Sequence, residues 1–514
     1  MKRREGRIAL LGCFALALII HATYLARLQG ESCIDDAYIS FRYARNLNAG
    51  HGLVFNPGER VEGYTNFGWV LLMAAVDSVG LDMPSTARII SMLCGGTLVL
   101  IALWFLQKRA PKQLFATALA GGLLVTSGPL VRWSQDGLET VLFSLLVLVG
   151  VIASFKELET ASAPFPWSSL VFSVATLVRP EGALFFVTSI GMRALFHPWG
   201  RTTYKHVGLM LLVYSSIVAP HIVWRWSYYG HLLPNTFHAK VGTTVAQAAR
   251  GARYVGAFFG DHHWPLLILV PFALWRSPDR KSPSWHRHLL VYSGVYLLYV
   301  AAVGGDWMGS GRFIVPVYAL ICISLSGTAA ATLGRWHFSQ PIKVAGVAGS
   351  VLLVASLFYS SAYSSEHRDV ARQRTFLESR HIVATWLREN AHPRDRLLAG
   401  EIGQLAYHSG LPTDDLFGLT DPVIANMDVP TMGLGKAGHE KSSLDYSLSK
   451  RPTWIVIPGL SQTLARGAEV PGLAGYELRT VPGPIPRPGY GLVLELRRRG
   501  ADEAGENAPR THQR

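Results

Sequence analysis

Charge is scarce in this chain of 514 residues: Asp, Glu, Lys and Arg make up 16% of it, 34 acids against 48 bases. A soluble domain carries nearer a quarter, so a water-facing surface over the whole chain is excluded. Cysteine is scarcer still, at four. Cys13, Cys94 and Cys322 fall inside apolar runs and only Cys33 lies in a polar stretch, which argues against a disulfide framework and against a thiolate metal site. A Walker motif, a dinucleotide-binding glycine motif and a short-period repeat are also missing.

What the chain has instead is apolar sequence in long blocks. They recur from residue 8 to residue 360, hydrophobic content is 49% and mean hydropathy is +0.24, the profile of an integral membrane protein. The formal charge of +14 does not mark a nucleic-acid partner, because much of the excess sits in short loops between apolar runs, where it sets topology. Eleven crossings are expected, near 8–28, 87–106, 113–130, 137–155, 167–179, 182–197, 207–226, 264–276, 288–303, 312–332 and 343–361. The first follows Lys2, Arg3, Arg4 and Arg7, so it reads as an uncleaved anchor with a cytoplasmic amino terminus. The run from Phe67 to Val79 contains Asp77 and has the length of an interfacial or re-entrant helix. If it does not cross, Lys108, Arg109 and Lys112 lie inside, followed by Lys156, by Arg193, Arg201 and Lys205, by Arg276, Arg280, Lys281 and Arg287, and by Arg335 and Lys343. Every second loop is then basic, as the positive-inside rule requires.

The expected fold is therefore a mainly α, multispanning membrane protein of about eleven helices. Residues 1–362, including an external loop at 29–86, form the membrane domain. Residues 363–498 read as a small extracytoplasmic α/β domain, with a helix over Arg374–Glu389 and strands near 396–399, 454–457 and 490–496. The polar segment 499–514 has the composition of a disordered tail.

The loops on the outer face have a different character from the basic ones. Asp35-Asp36 opens the first of them, and a carboxylate there can accept a proton from a hydroxyl; either aspartate would also cap a helix starting near Ala37. That helix would carry Tyr38, Phe41, Tyr43 and Arg45, its aromatic edge in the headgroup layer and Arg42 or Arg45 on phosphate. Glu62, Tyr64 and Asn66 offer hydrogen-bond partners for a sugar, or satisfy loop backbone. Trp133 reads as an interface anchor or acceptor contact, with Asp136 as a cap. Glu139 is placed about one turn into an apolar span, where an ionisable group faces a cavity. Arg179 has the planar fork suited to phosphate, with Glu181 as a local partner. The loop from Tyr228 to Lys240 adds Asn235, Thr236, His238 and Lys240, and Gly304 to Arg312 adds Asp306 and Arg312, with Ser310 a candidate helix cap. Aromatic rings for sugar faces and cations for phosphate oxygens together fit a glycosyl phosphate. No metal site is assigned, and a divalent cation is left open because His231, His238, His262 and His263 have no fixed spacing. In the later domain Asp421 and His439 are candidate acceptor contacts, the segment around Asp414-Asp415 reading most simply as strand into turn.

The order of these motifs resembles a known family. Asp35-Asp-Ala-Tyr-Ile-Ser-Phe-Arg-Tyr-Ala-Arg-Asn46, Gly50-His-Gly-Leu-Val-Phe-Asn-Pro-Gly-Glu-Arg-Val-Glu-Gly-Tyr-Thr-Asn-Phe67 and Gly137-Leu-Glu139 are similar to segments of the polyprenyl-phosphate-dependent GT-C glycosyltransferases, the branch that includes the mycobacterial terminal arabinofuranosyltransferases. Tyr229 to Lys240, Gly304 to Pro316, Gly403 to Ala425 and Gly438-His439-Glu440-Lys441 extend the resemblance over most of residues 30–455. It implies a GT-C bundle, a decaprenyl-phosphate arabinofuranose donor, a cell-envelope glycan acceptor and membrane lipids around the body. It implies no further cofactor, since the polyprenyl-phosphate sugar is itself a substrate, and no particular oligomer. The catalytic carboxylate it implies is Asp35 or Asp36, with Asp36 slightly less expected. The plasma membrane of a bacterium, with the active site and the α/β domain outside, is the implied location. Another lipid-linked sugar is the alternative donor. A lipid-linked glycan transporter is the rival of another class; it would favour polar groups near the bilayer midplane and an inverted repeat, neither of which is evident.

Overall fold

The computed structural model describes residues 33–110, 113–160, 165–197, 199–242, 244–260, 284–335 and 365–496. The chain enters it on a short polar helix, α1 (Asp35–Asn48), and an apolar twelve-residue helix, α2 (Phe67–Ser78). Helix α3 (Met83–Arg109) starts where the Asp82 side chain accepts from the Ser85 N–H and Pro84 occupies the first turn, and it ends on Lys108 and Arg109. There follow α4 (Leu114–Val125), α5 (Gly128–Trp133), α6 (Thr140–Leu158), α7 (Trp167–Val178) and α8 (Gly182–Phe196). Helix α9 (Arg201–Tyr229) continues through Pro220 and stops at Gly230, whose φ of +80° ends it in the left-handed region. The short α10 (Asn235–Lys240), α11 (Val245–Phe258), α12 (Trp285–Ala302) and α13 (Val315–Arg335) complete the helical body.

Helices α3, α6 and α9 are long and apolar enough to cross a membrane, while α2, α4, α7, α8 and the apolar part of α13 are shorter. Only 11% of the apolar window of α9 is buried, so its side chains face outward where lipid would lie. Of the eleven expected crossings, 87–106, 137–155 and 207–226 coincide with these long helices. Those at 113–130, 167–179, 182–197, 288–303 and 312–332 fall on shorter or less apolar ones. The spans at 8–28, 264–276 and 343–361 and the tail at 499–514 lie outside the described residues, as do Lys112, Arg276, Arg280, Lys281 and Lys343.

After the helical body come α14 (Ser365–Asn390), β1 (Leu397–Ala399), α15 (Ile402–Ser409), β2 (Thr413–Asp415), α16 (Pro422–Ala425), α17 (Leu444–Ser449), β3 (Trp454–Val456), α18 (Pro458–Ala465), β4 (Tyr476–Thr480) and β5 (Leu492–Leu496). The sheet order is β2-β1-β3-β5-β4, parallel across β2-β1-β3 and antiparallel for β5 and β4. The central strands are buried throughout, as parallel strands covered on both faces require.

Helix α1 joins the two parts, packed on α2 on one side and on α15 on the other. Its aromatic edge is therefore not at a lipid surface. Tyr38, Phe41 and Tyr43 are buried, and Tyr38 and Phe41 meet Tyr407 of α15 at ring separations of 5.3 and 6.2 Å. Burying these rings against protein yields more than leaving them half-wet at an interface. Gly403 of α15 makes the close approach possible: a Cβ there would lie 1.9 Å from the Asp35 carbonyl oxygen.

Candidate active site

Adjacent aspartates on α1 point to different neighbours. The Asp35 carboxylate is buried and accepts from the backbone N–H groups of Gly403 (3.0 Å) and Gln404 (2.9 Å), in the first turn of α15. Arg380 of α14 lies 3.7 Å from it and also pairs with Glu401 at 2.7 Å. Burial raises the Asp35 pKa, with Arg380 and the Gln404 N–H opposing. Among the described residues, no group donates a hydrogen bond to Asp36.

Asp36 stands on the wall between two cavities, which also share Ile39, Lys240, Trp307, Leu419 and Gly438. The upper cavity, about 420 Å³, lies between α1 and the α/β domain and is lined by Arg380, Glu401, Lys436 and His439 with Trp307 and Phe417. The Lys436 ammonium sits 3.8 Å over the Trp307 ring, and His439 packs edge-on to Trp307 and Phe417. Burial lowers the pKa of both Lys436 and His439, which keeps the imidazole neutral.

The lower cavity, about 570 Å³, is walled on one side by Leu184, Val187, Leu233 and Phe237 and on the other by charge. Val187, Leu233 and Phe237 are exposed, so the apolar wall reaches the protein surface. Arg179 donates to Glu139 (2.9 Å) and Glu181 (2.8 Å), and Asn66 donates to the other Glu139 oxygen (2.8 Å). Arg225 pairs with Glu62 (2.8 Å), Arg250 with Glu440 (2.8 Å) and Arg312 with Asp306 (2.6 Å). Each arginine lining this cavity is thus neutralised by a carboxylate. Lys240 is the cation lining it that has no carboxylate partner among the described residues. Its alkyl stem packs over Gly438, where a Cβ would lie 3.3 Å from it.

The residues expected from sequence divide accordingly. Asp36, Tyr64, Asn66, Glu139, Arg179, Thr236, Lys240, Asp306 and Arg312 line the lower cavity, and Asp35, Asp36, Lys240 and His439 the upper. Several others do not reach either. Arg42 donates to the carbonyls of Phe55, Ala406 and Leu411 and to Asn56, so its fork ties α1 to a neighbouring loop and to the α15 region. Arg45 likewise lies over the Tyr407 ring and donates to its carbonyl. The Tyr43 hydroxyl donates to Val61 O and accepts from Gly63 N–H. Trp133 is fully buried with its indole N–H on Ser310 O, an internal anchor in place of an interfacial one. Ser310 also accepts from Arg132, which pairs with Asp136. Asn235 donates to the carbonyls of Gly418 and Leu419, and His238 lends its carbonyl to Lys441. Asp421 caps α16 and pairs with Lys450. Glu62 acts on the cavity only through Arg225. Glu139 is not a turn deep in a span: the positive φ of Gly137 (+77°) turns the chain, and α6 begins only at Thr140. That turn presses Gly137 against Cys33, and the Ile34 N–H donates to Asp136 O, fixing α1 beside Glu139. His262 and His263 lie outside the described residues, among which no three His, Cys, Asp or Glu gather as a metal site.

Sequence reasoning missed Arg380, Glu401, Lys436, Arg225 and Arg250. Lys436 carried a signal, lying in the run Gly433-Leu-Gly-Lys-Ala-Gly438, where glycines let backbone approach a ligand.

The described residues thus form a mainly helical body, with three helices long and apolar enough to cross a membrane, and a carboxyl-terminal α/β sheet domain. The backbone matches the crystal structure of ArnT from Cupriavidus metallidurans bound to undecaprenyl phosphate with a TM-score of 0.59 at 13% identity, covering 94% of this chain and 97% of that one. ArnT in the apo state matches equally. In sequence the chain is similar to the terminal β-(1→2)-arabinofuranosyltransferase of Mycobacterium tuberculosis, 29% identical over 327 residues, and to that of Corynebacterium glutamicum, 27% identical over 330. Each alignment covers 56% of this chain and 51% or 46% of the relative, so the chain spans about half the length of the curated relatives it matches. Residues 368–500 match a domain of unknown function, DUF8728.

Proposed function

We propose that this protein is a glycosyltransferase that moves a sugar, most simply an arabinofuranose, from a polyprenyl phosphate to an envelope glycan outside the cytoplasm. One observation carries the reading: Asp36, with no hydrogen-bond donor among the described residues, stands with Lys240 on the wall between an apolar-sided cavity and a polar, aromatic one. The lower cavity suits a lipid-linked sugar, its prenyl chain against Val187, Leu233 and Phe237 and its hydroxyls among Asn66, Glu139 and Arg179. The upper cavity suits the acceptor.

In the reaction an acceptor hydroxyl oxygen bonds to the anomeric carbon while the bond from that carbon to the phosphate oxygen breaks. Asp36 takes the hydroxyl proton, and Lys240 offsets the charge gathering on the departing phosphate. Phosphate is a good leaving group, so no general acid is needed. Asp35 holds α15 against α1 and thereby orients its neighbour. The two arabinofuranosyltransferase relatives support arabinofuranose, and the basic loops support an outward-facing site.

The full chain in nanodiscs, given decaprenyl-phosphate arabinofuranose and arabinan oligosaccharides, is expected to release decaprenyl phosphate and a lengthened glycan. Lipid-linked hexoses in parallel reactions separate the donor alternatives. Absence of transfer from every lipid-linked sugar to every envelope acceptor overturns the proposal.

A further inference from the structure

At the opposite end of the helical body, α3, α6 and the start of α7 leave a second open groove of about 430 Å³. It lies far from the site above. Lys156, on its rim, follows Glu139 by seventeen residues, nearly the whole of α6, or roughly 25 Å along the helix. Its walls are Ile101, Val149, Ile152 and Ala153, with Trp104, Phe165 and Trp167 at the mouth. These three rings, from α3 and from around the start of α7, are 43%, 45% and 60% exposed.

The mouth is also cationic. The Lys156 and Lys108 ammonium groups lie 5.2 and 5.3 Å from the centre of the Trp104 ring, so one indole faces two positive charges. Nearby acids are already engaged. Glu157 accepts from the Ser168 N–H (2.8 Å) and hydroxyl (2.6 Å), and Glu159 pairs with Arg109 at 2.6 Å. Among the described residues neither lysine has a carboxylate partner.

An apolar groove capped by indoles and two uncompensated ammonium groups matches one ligand: a diacyl phospholipid with an anionic headgroup. We infer that this groove is a binding site for such a lipid, drawn from the leaflet opposite the active site. The acyl chains lie along α3 and α6, the glycerol region meets Trp104 and Trp167, and the headgroup phosphate lies between Lys108 and Lys156. The occupied groove ties α3 to α6 and α7.

The test is lipid retention on the purified full chain, followed by native mass spectrometry during titration with phosphatidylglycerol or phosphatidylcholine of identical acyl chains. Wild type is expected to prefer phosphatidylglycerol by on the order of thirtyfold, the contribution of two lysines near a headgroup. K108Q/K156Q abolishes the preference, K108R/K156R retains it, and R201Q/K205Q, which removes exposed charge from the same face outside the groove, also retains it. A wild type without headgroup preference overturns the inference. So does a K108Q/K156Q variant that keeps the preference, or an R201Q/K205Q variant that loses it equally, which would mark a diffuse surface potential. Transfer activity is not measured in this experiment, so its outcome is independent of the proposed reaction.

Discussion

Replacing Gly403 by alanine should disable the proposed transfer from a position that lines neither cavity. The added Cβ would lie 1.9 Å from the Asp35 carbonyl oxygen, 2.7 Å from its carbonyl carbon and 3.0 Å from its carboxylate. The obstacle is backbone, which no rotamer change relieves. Restoring even a 3.0 Å contact requires α15 and α1 to part by about 1 Å. That movement stretches the two N–H bonds from Gly403 and Gln404 to Asp35, each worth about 1.5–3 kcal/mol with a charged acceptor, so a stability loss of about 2–4 kcal/mol is expected. It also shifts Asp36, and a displacement of about 1 Å at a reacting group costs on the order of a hundredfold in rate. Turnover of the lipid-linked donor, donor affinity and thermal unfolding should be measured together. The expected pattern is a lower kcat at nearly unchanged donor affinity, because the lower cavity is built mostly from other elements. Gly459→Ala, whose Cβ would meet nothing within 4 Å, is the control and should leave all three unchanged. A G403A enzyme with wild-type turnover and melting temperature refutes the argument that the α1–α15 junction places the base.

Asp36→Asn should lower kcat by about 10²–10⁴-fold, the usual contribution of a general base, with stability within about 0.5 kcal/mol of wild type; Asp35→Asn should lose about 1–2 kcal/mol of stability through its cap and lower kcat less than Asp36→Asn, since it acts only by orienting its neighbour. Calorimetry beside turnover separates them. Lys240→Gln should weaken binding of the polyprenyl-phosphate product by about tenfold or more, measurable as a raised product inhibition constant, because the neighbouring arginines are already paired. The third concerns pH. Burial pushes Asp415 up to about 6 from an ordinary 3.8. A raised carboxyl pKa stabilises the fold below its unfolded value, and that contribution is lost as pH rises through about 6. Unfolding of the full chain between pH 4 and 7 should show this decline, roughly 3 kcal/mol from this group, and Asp415→Asn should remove it.

Much of the sheet was legible because its strands are short apolar runs between Gly/Pro turns. The segments near 396–399, 454–457 and 490–496 contain β1, β3 and β5. Strand β4 escaped because Tyr476–Thr480 is an edge strand with Leu478, Arg479 and Thr480 exposed and Glu477 half-buried, so it lacks the apolar signature. Among the residues that line the cavities, Asp36, Asn66, Glu139, Arg179, Lys240, Asp306 and Arg312 were legible because polar groups between apolar spans stand out. Arg42 and Asp421 misled for a physical reason: the same fork that grips phosphate also grips carbonyls, and the same carboxylate that meets a hydroxyl also caps a helix. Arg380 was invisible because its significance is a contact with Asp35 across more than 340 residues, and Glu401 because it acts through Arg380; nothing local to a polar helix distinguishes one arginine from the next.

The pairing of every arginine in the lower cavity bears on how the proposed catalytic cycle would end. A polyprenyl phosphate gripped by four bare guanidinium groups would be a tight inhibitor of its own enzyme. Here each guanidinium already has a carboxylate, so in the proposed reaction the spent carrier would part from one ammonium, Lys240, and slide back along its apolar wall into the bilayer. Under that reaction the acids in the cavity would set the residence time of the product, and with it the ceiling on turnover when chemistry is fast.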